Sequence, residues 1–167
     1  RLIINMDLLV GSHVKVNGQL RSYNRYINNC SRLILTVFAR DIRKLEDKNE
    51  TNELLKAPNE IFLDGYICKE PIYRTTPFGR EISDLLIAVN RPYNKSDYIP
   101  CIAWGRNARF CEKLLIGDHI KIWGRIQSRE YQKKHSNEEI ETKVAYEVSI
   151  SKLEYLENDN NRLEADE

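Results

Sequence analysis

Residues 117–128 read GDHIKIWGRIQS, and residues 11–22 read almost the same, GSHVKVNGQLRS. Both stretches run Gly, polar, His, branched apolar, Lys, branched apolar, any residue and Gly, and then alternate polar and apolar residues up to a Ser. Alternation of this kind is typical of a β-strand with one buried face. The stretch therefore predicts a strand, and its near copy predicts that this part of the fold occurs twice.

The likeness extends in both directions. Residues 8–11 (LLVG) correspond to residues 114–117 (LLIG), and residues 36–46 (TVFARDIRKLE) correspond to residues 147–157 (EVSISKLEYLE). The extra residues of the second copy fall in the polar segment 132–141, which we interpret as a loop. Two matched blocks that differ in the length of a loop indicate a duplicated fold unit.

The second copy has the elements of a complete unit. Apolar runs separated by turn signals predict five strands, with a helix between the third and fourth: strands 61–67, 81–89, 97–104, 119–131 and 144–153, and helix 107–116 closed by Gly117. That order is the order of an OB-fold, a five-stranded Greek-key barrel. The predicted fold class is all-β with one short helix, an OB barrel preceded by the second half of another OB unit.

The first copy holds only the elements that come after the third strand. We therefore predict that residues 1–46 are the C-terminal half of a first OB unit, 47–58 a linker, 59–156 the complete OB domain and 157–167 a flexible acidic tail. A first unit built like the second would begin about 46 residues before Arg1, because the copies lie 117 − 11 = 106 residues apart and the second begins at residue 60. We expect that the given sequence lacks this half, with strands supplied by another chain as the alternative.

Composition limits the class of protein. The net charge is +1, but residues 157–167 carry five acids and one base, which leaves +1 − (−4) = +5 on the rest. A basic body suits a partner with negative charge, although an ordinary solvated surface explains the charge equally well. No apolar run has the length of a membrane span, no signal peptide opens the chain, and the four cysteines form no Cys-x-x-Cys pair. We predict a reduced, cytoplasmic chain that binds no metal, cofactor or membrane.

Signals of catalysis are missing from the sequence. His13 and His119 occupy the same position of the repeat, which is typical of a fold feature, and His135 is the only other histidine. No nucleophile motif, glycine-rich phosphate loop or carboxylate–histidine cluster occurs. The chain is therefore predicted not to be an enzyme.

The faces of two predicted strands suggest binding. In strand 97–104, the small residues Ile99, Cys101 and Ala103 suit a barrel interior, which leaves Tyr98 and Trp104 outward. Strand 119–131 carries six polar or aromatic residues on one face: Lys121, Trp123, Arg125, Gln127, Arg129 and Tyr131. Rings for stacking bases and cations for phosphates suit a single-stranded nucleic acid. Core packing of Trp104, an oligomer contact through Trp123 and a solvated basic face are the alternatives.

The whole segment from residue 59 closely resembles the bacterial single-stranded DNA-binding protein family. The likeness rests on Gly65, Pro71 and Arg74, on the Gly79 turn, and on three motifs: AVN (88–90), AWGRNA (103–108) and IWGRIQSREY (122–131). It covers residues 59–156 throughout and residues 8–46 faintly. The resemblance implies sequence-tolerant binding of single-stranded DNA in replication, recombination and repair.

The resemblance also implies site residues and partners. It assigns base stacking to Tyr93, Tyr98, Trp104 and Tyr131, whereas Pro100 stands where some relatives have an Arg. It implies a homo-oligomer in which four barrels surround the DNA, a dimer of double-barrel chains or a tetramer. The tail RLEADE lacks the family's apolar tip, so recruitment of replication and repair proteins does not carry over.

The predicted interface joins these aromatics to Trp123 and to six cations, namely Arg74, Arg80, Arg106, Lys121, Arg125 and Arg129. Two other functions are consistent with the residues. One is an OB-fold adaptor that contacts proteins in a replication or mobile-element complex. The other is binding of single-stranded RNA, because stacking surfaces accept both nucleic acids.

Overall fold

The computed structural model describes residues 7–157, and the chain divides into two compact units, Arg1–Glu60 and Ile61–Glu167. We call them unit 1 and unit 2 and describe each by itself. Most of the predicted acidic tail lies outside the described residues, as do the first six residues of the predicted half unit.

Unit 1 has a long hairpin and a short helix among its described residues. Strand β1 (Val14–Ile27) pairs antiparallel with β2 (Cys30–Lys44). Asn28 and Asn29, both with positive φ, form the two-residue turn between them, which suits the right-handed twist of the strands. Helix α1 (Lys48–Leu54) comes next. It lies in the segment predicted as a linker, so the chain has a helix that the sequence analysis did not predict.

Helix α1 forms because Asp47 caps it. The Asp47 carboxylate accepts a hydrogen bond of 2.8 Å from the Asn49 amide, and Glu50 lies in the first turn, where a negative charge is favourable. Glu50 also pairs with Arg43 of β2, which ties the helix to the hairpin. Both signals stand in the sequence, but seven mostly polar residues lack the apolar periodicity that normally reveals a helix.

Unit 2 contains six strands and one helix in its described part. They are β3 (Ile61–Ile67), β4 (Ile72–Thr75), β5 (Glu81–Arg91), β6 (Lys95–Trp104), α2 (Arg106–Cys111), β7 (His119–Lys134) and β8 (Ile140–Leu156). The sheet order is β3-β7-β8-β6-β5-β4, and β3 also pairs with β5, so five strands close into a barrel. Strands β6 and β8 pair in parallel, and the other pairs of this sheet are antiparallel. This is the predicted OB-fold barrel.

Four elements differ from the sequence-based expectation. The helix predicted over 107–116 begins at Arg106 and ends at Cys111, and the residues from there to 118 form turns. Strand β4 was not predicted; it comes after the break at Pro71 and pairs with β5 from Ile72 to Thr75. Strands β5 and β6 pair as far as Arg91 and Lys95, which shortens the predicted loop 90–96 to three residues. Strands β7 and β8 pair out to Lys134 and Ile140, so most of the predicted loop 132–141 is a two-stranded arm. These strands are longer than predicted because pairing in the hairpin satisfies the backbone donors and acceptors of polar residues. A polar sequence gives no signal of that pairing.

The barrel core is filled by small branched residues. Side chains that are almost completely buried come from β3, β5, β6, β7 and β8, namely Ile67, Ile87, Ile99, Ile120, Ile122 and Val148. Helix α2 is bound to the barrel by the Ser83 hydroxyl, which donates to the Ala108 carbonyl oxygen at 2.8 Å. Burial raises the pKa of the Cys101 thiol well above its usual value and that of Cys111 to about 12, so both thiols stay protonated.

A β-bulge occurs at the same repeat position in both units. In β1–β2 the register shifts between Asn17 and Gly18, and in β7–β8 it shifts between Trp123 and Gly124. A Cβ atom on Gly18 would lie 2.3 Å from the Phe38 carbonyl oxygen, and one on Gly124 would lie 2.1 Å from that of Ser149. The second glycine of each copy is therefore required by the close approach of the neighbouring strand.

Candidate nucleic-acid interface

Cross-strand register defines one continuous outer face on unit 2. A single row crosses five strands, from β4 to β7: Ile72, Asp84, Ile102, Ser149 and Arg125. Directly opposed residues point to the same side of a sheet. We call the outward side chains of β4, β5, β6, β8 and the second half of β7 the outer face.

Trp104 lies at the end of β6 on this face. The alternation predicted from the sequence holds here, because Ile99, Cys101 and Ala103 are buried while Tyr98 and Trp104 are exposed. The Trp104 indole is 37% exposed, and its Nε1 donates to the Ser149 hydroxyl at 3.2 Å. The ring is therefore held in one orientation against β8 and still presents surface to solvent, which is the arrangement a stacking ring needs.

Cations surround Trp104. Its neighbours across the sheet are Ile82 and then Arg74, and Ser149, its hydrogen-bond partner, is directly opposed by Arg125. Arg106 begins α2 two residues after Trp104, and Arg80 lies in the turn that joins β4 to β5. The structure thus brings four of the six predicted cations to one end of the outer face.

Not every cation is equally available. Arg74 Nε lies 3.0 Å from Asp84 Oδ2, within the same face. Within residues 7–157, the side chains of Arg80, Arg106, Lys121 and Arg125 form no ion pair. Of these, Arg80, Arg106 and Arg125 lie at the end of the outer face that carries Trp104, so they are best able to meet phosphates there.

Tyr98 and Tyr93 extend the face in the other direction. Tyr98 is six residues before Trp104 on the same side of β6, about 20 Å away at the usual rise per residue. Tyr93 occupies the three-residue turn after β5, where both it and Asn94 have positive φ. Its side chain is 94% exposed. The turn is fixed at its base by the Ser96 hydroxyl, which donates to Asn90 Oδ1 at 3.0 Å, and by the ion pair of Arg91 with the buried Asp97 at 2.7 Å.

The arm of β7 and β8 carries the last two predicted residues of this face. Glu147 is almost completely buried, and its Oε1 accepts from Gln127 Nε2 at 3.1 Å and from Arg129 Nε at 3.0 Å. Arg129 is therefore held in position by a carboxylate. Tyr131 is exposed further along the arm, opposite Lys143.

The end of the arm is tied by a second charged group. His135 Nε2 lies 2.8 Å from Glu141 Oε2 across the turn, and Lys143 lies near the same carboxylate. These hydrogen bonds, from His135 first, lower the pKa of Glu141. The carboxylate therefore stays ionised to lower pH than an ordinary glutamate.

Lys121 and Trp123 lie elsewhere on the barrel. Both residues lie in the first half of β7, which pairs with β3 on one side and with β8 on the other. Lys121 is opposed by Asp64 of β3 and Glu154 of β8, and Trp123 is opposed by Phe62 of β3 and Lys152 of β8. The Trp123 ring lies 5.1 Å from Phe62, and Lys152 Nζ lies 4.5 Å from its centroid. Trp123 is thus engaged by two side chains, an arrangement that fits the packing or oligomer alternative as well as stacking.

His119 has a structural partner, in agreement with its interpretation as a fold feature. Its Nε2 lies 2.5 Å from Asp64 Oδ1, and its ring stacks on Tyr66 at 4.6 Å. Both partners belong to β3. Across residues 7–157 no group of three or more His, Cys, Asp or Glu side chains is arranged to hold a metal ion. The same residues contain no helix that is long and apolar enough to cross a membrane.

Among the described aromatic side chains to which the sequence assigned no role, Phe78 is the most exposed. Phe78, in the turn between β4 and β5, is 93% exposed. The sequence signal was present, since Pro77 and Gly79 mark a turn and a Phe in an exposed turn is unusual. It was interpreted only as a turn.

Sequence comparisons associate this fold with one family. The profile of the Single-strand binding protein family matches residues 58–156. "Single-stranded DNA-binding protein 1" of Staphylococcus aureus (strain COL) is 32% identical over 109 residues, which cover 61% of this chain and 63% of that protein. "Single-stranded DNA-binding protein A" of Bacillus subtilis (strain 168) is 29% identical over 109 residues, 61% of this chain and 61% of that protein. The matches thus span less than two thirds of these relatives.

Solved structures agree on the fold. A deletion variant of the single-stranded DNA binding protein from Thermus aquaticus superposes with a TM-score of 0.67 at 22% identity, over 89% of this chain and 62% of that chain. The wild-type protein from Thermus aquaticus gives a TM-score of 0.65 at 22% identity, over 88% and 60%. Each superposition covers more of this chain than unit 2 alone contains, so the likeness of fold includes residues of unit 1.

Proposed function

The chain belongs to the single-strand binding protein family, and from this premise we propose that it binds single-stranded DNA with little preference for sequence. Bases stack on Tyr93, Tyr98, Trp104 and Tyr131, and phosphates are met by the cations of the outer face. Membership in a family of binding proteins also confirms that the chain is not an enzyme.

One observation carries the proposal: a half-exposed indole fixed among cations. Trp104 is held by Ser149 and lies within two strands of Arg74 and Arg125. An exposed ring of this size is unfavourable in water unless it has a partner. A base on the ring, with its phosphates at the neighbouring arginines, satisfies both the ring and the charges.

The wider role is part of the same proposal. The chain acts in replication, recombination and repair, in the cytoplasm with the nucleoid, and as a homo-oligomer that holds several barrels around the DNA. Phe62, which is half exposed beside Trp123, supports the alternative in which Trp123 forms an oligomer contact. Contacts with replication and repair proteins remain a prediction, and none of them is assigned to the tail.

We also propose that residues 1–46 correspond to the last two strands of an OB unit. The support is the shared bulge: Gly18 and Gly124 have the same place in the repeat and the same close contact with a carbonyl oxygen. Antiparallel pairing of β1 with β2 corresponds to that of β7 with β8. The domain limits 47–58, 59–156 and 157–167 belong to this proposal.

The first test is the change Trp104→Ala. We expect the affinity for oligo-dT to fall by about 1–3 kcal/mol, the contribution of one base on one ring. Stability of unit 2 should fall by less than the roughly 3–5 kcal/mol of a fully buried Trp, because the ring is partly in solvent. Fluorescence titration and thermal unfolding of the same variant measure the two quantities.

The control is Phe62→Ala, which removes an exposed ring outside the outer face. It should leave the affinity for an oligo-dT short enough to occupy one barrel unchanged. Titration with oligo-U and with duplex DNA separates the alternatives. Tighter binding of oligo-U than of oligo-dT would favour the RNA alternative. Binding of neither single strand would favour the protein adaptor and contradict the proposal.

A further inference from the structure

Phe78 is a large apolar side chain with almost no protein around it. It is 93% exposed, in the turn between β4 and β5, and its neighbours Pro77, Gly79 and Arg80 are exposed as well. A ring in this position adds nothing to the core, and its hydration is unfavourable. Its exposure leaves the ring available to a partner outside unit 2.

The turn that carries Phe78 is rigid. The Gly79 amide donates to the Thr76 carbonyl at 2.8 Å, the Thr76 amide to the Arg80 carbonyl at 2.8 Å, and the Arg80 amide to the Thr76 hydroxyl at 3.1 Å. Pro77 sets the second position of the turn, and Gly79 takes the positive φ of 79° that closes it. The ring is therefore presented from a fixed backbone, so little conformational entropy is lost when it is contacted.

The base of the hairpin is fixed too. The Tyr73 hydroxyl donates to Glu81 Oε1 at 2.7 Å, which raises the pKa of Tyr73, and Arg109 of α2 lies 3.6 Å from the other Glu81 oxygen. The Glu81 carbonyl accepts from the Gly105 amide at 2.9 Å, directly after Trp104. The turn thus has a defined position relative to Trp104.

That position is at the cationic end of the outer face. Ile82 pairs directly with Trp104, and Phe78 is four residues away along the hairpin, at most about 13 Å at the usual rise. Arg80 lies within the same turn, and Arg74 lies opposite Ile82. Phe78 is therefore an exposed ring among cations, which is the combination found at sites that bind single strands.

We propose that Phe78 is an additional stacking residue, which extends the single-strand path from Trp104 over the β4–β5 turn, with Arg80 at the phosphate beside the stacked base. The inference rests on the proposed function and names a base-binding position beyond the predicted ones. A protein partner is the competing explanation of the exposed ring, and the arginines on both sides favour the nucleic acid.

The test compares Phe78→Leu with Phe78→Tyr. Leu keeps an apolar side chain without a ring, and Tyr keeps the ring. We expect Phe78→Leu to weaken oligo-dT binding by about 5- to 150-fold, the range for loss of one stacked base, and Phe78→Tyr to stay within about twofold of the wild type. Leu115→Ala, which removes another strongly exposed apolar side chain, is the control and should bind like the wild type.

Ultraviolet cross-linking to oligo-dT gives a second readout, with a cross-linked peptide that contains Phe78 expected for the wild type. Unchanged affinity of Phe78→Leu, together with weakened binding of Trp104→Ala, would overturn this inference and leave the proposed function intact. A change of oligomeric state in Phe78→Leu at unchanged affinity would identify a protein contact and overturn it as well. Failure of the wild type to bind oligo-dT would instead contradict the proposed function itself.

Discussion

Val16 of unit 1 and Ile122 of unit 2 have the same place in the repeat, in strands of nearly the same sequence. Val16 is 43% exposed, whereas Ile122 is 1% exposed. The partner strands show the same contrast. Val37 of β2 is 53% exposed, whereas Val148, at the same place of the repeat in β8, is 0% exposed. The two hairpins agree in antiparallel pairing and in the position of the bulge, and differ in the strands that cover them.

The difference lies in the neighbouring strands. In unit 2, β7 has β3 on its other side and β8 has β6, and the closed barrel buries the apolar face of both. Among the described residues of unit 1, β1 and β2 pair only with each other. Local sequence thus decides strand, register and bulge, while burial is decided by strands that lie far away in the chain.

The largest expected contrast comes from truncation of the matched pair. Ile122→Ala should lower the free energy of unfolding of unit 2 by about 2–5 kcal/mol, because it leaves a cavity in the barrel. Val16→Ala should change stability by less than about 1 kcal/mol, because the side chain is exposed. Tryptophan fluorescence during chemical denaturation measures the stability of unit 2, which contains both tryptophans, and amide exchange in β1 and β2 measures the stability of the unit 1 hairpin. An equal shift for both variants would mean that Val16 is covered in solution.

A smaller contrast is expected at the bulge glycines. Gly124→Ala drives a Cβ atom into the Ser149 carbonyl oxygen and should cost unit 2 about 1–3 kcal/mol. Gly18→Ala meets the Phe38 carbonyl oxygen in the same way, so it should speed amide exchange in β1 and β2 without moving the tryptophan transition. Unchanged exchange in Gly18→Ala would show that the bulge of unit 1 yields freely and that the two bulges differ.

The smallest effect is expected at the hairpin turns. Glu138 ends the arm with a φ of 64°, and Asn29 has a φ of 61°. Asn tolerates this conformation better than Glu, so Glu138→Gly should stabilise its turn by about 0.5–1 kcal/mol and Asn29→Gly by a few tenths at most. Amide exchange at the two turns measures both changes. A larger gain at Asn29 would reverse the expected order.

Much of the fold was predictable because its signal is local. Alternation marked β3, β5, β6, β7 and β8, and the repeat marked the hairpin of unit 1. Strand β4 escaped because four residues after a proline carry no periodicity, and α1 escaped because its cap and first-turn charge stand in a polar segment. The closing pairs of β3 with β5 and of β6 with β8 join distant segments, so no local pattern marks them, and they could be expected only from the order of the elements and the family resemblance.

The site was predictable in part for the same reason. Alternation assigned Tyr98 and Trp104 to the outward side, and the resemblance supplied Tyr93. Strand alternation did not reveal that Ile102, on the same face as Tyr98 and Trp104, is buried. It also did not reveal that Ile82, whose neighbours across the sheet are Arg74 and Trp104, is buried. Nor did it separate Lys121 and Trp123 from the other residues, because one strand of a barrel faces different neighbours along its length.

The carboxylates beside Arg74 and Arg129 have a consequence for the thermodynamics of binding. A cation that already has Asp84 or Glu147 as its partner neutralises less of a phosphate's charge, so fewer of the counterions condensed on the nucleic acid are released. Counting all six predicted cations gives a slope of about −4 for the logarithm of affinity against the logarithm of salt concentration, at about −0.7 per phosphate. Counting only Arg80, Arg106 and Arg125, the cations of the outer face without an ion pair in the described part of the chain, gives about −2. If the proposed function holds, the fixed carboxylates take the place of part of the ionic atmosphere, and affinity for single-stranded DNA is expected to depend less on salt than the number of cations implies.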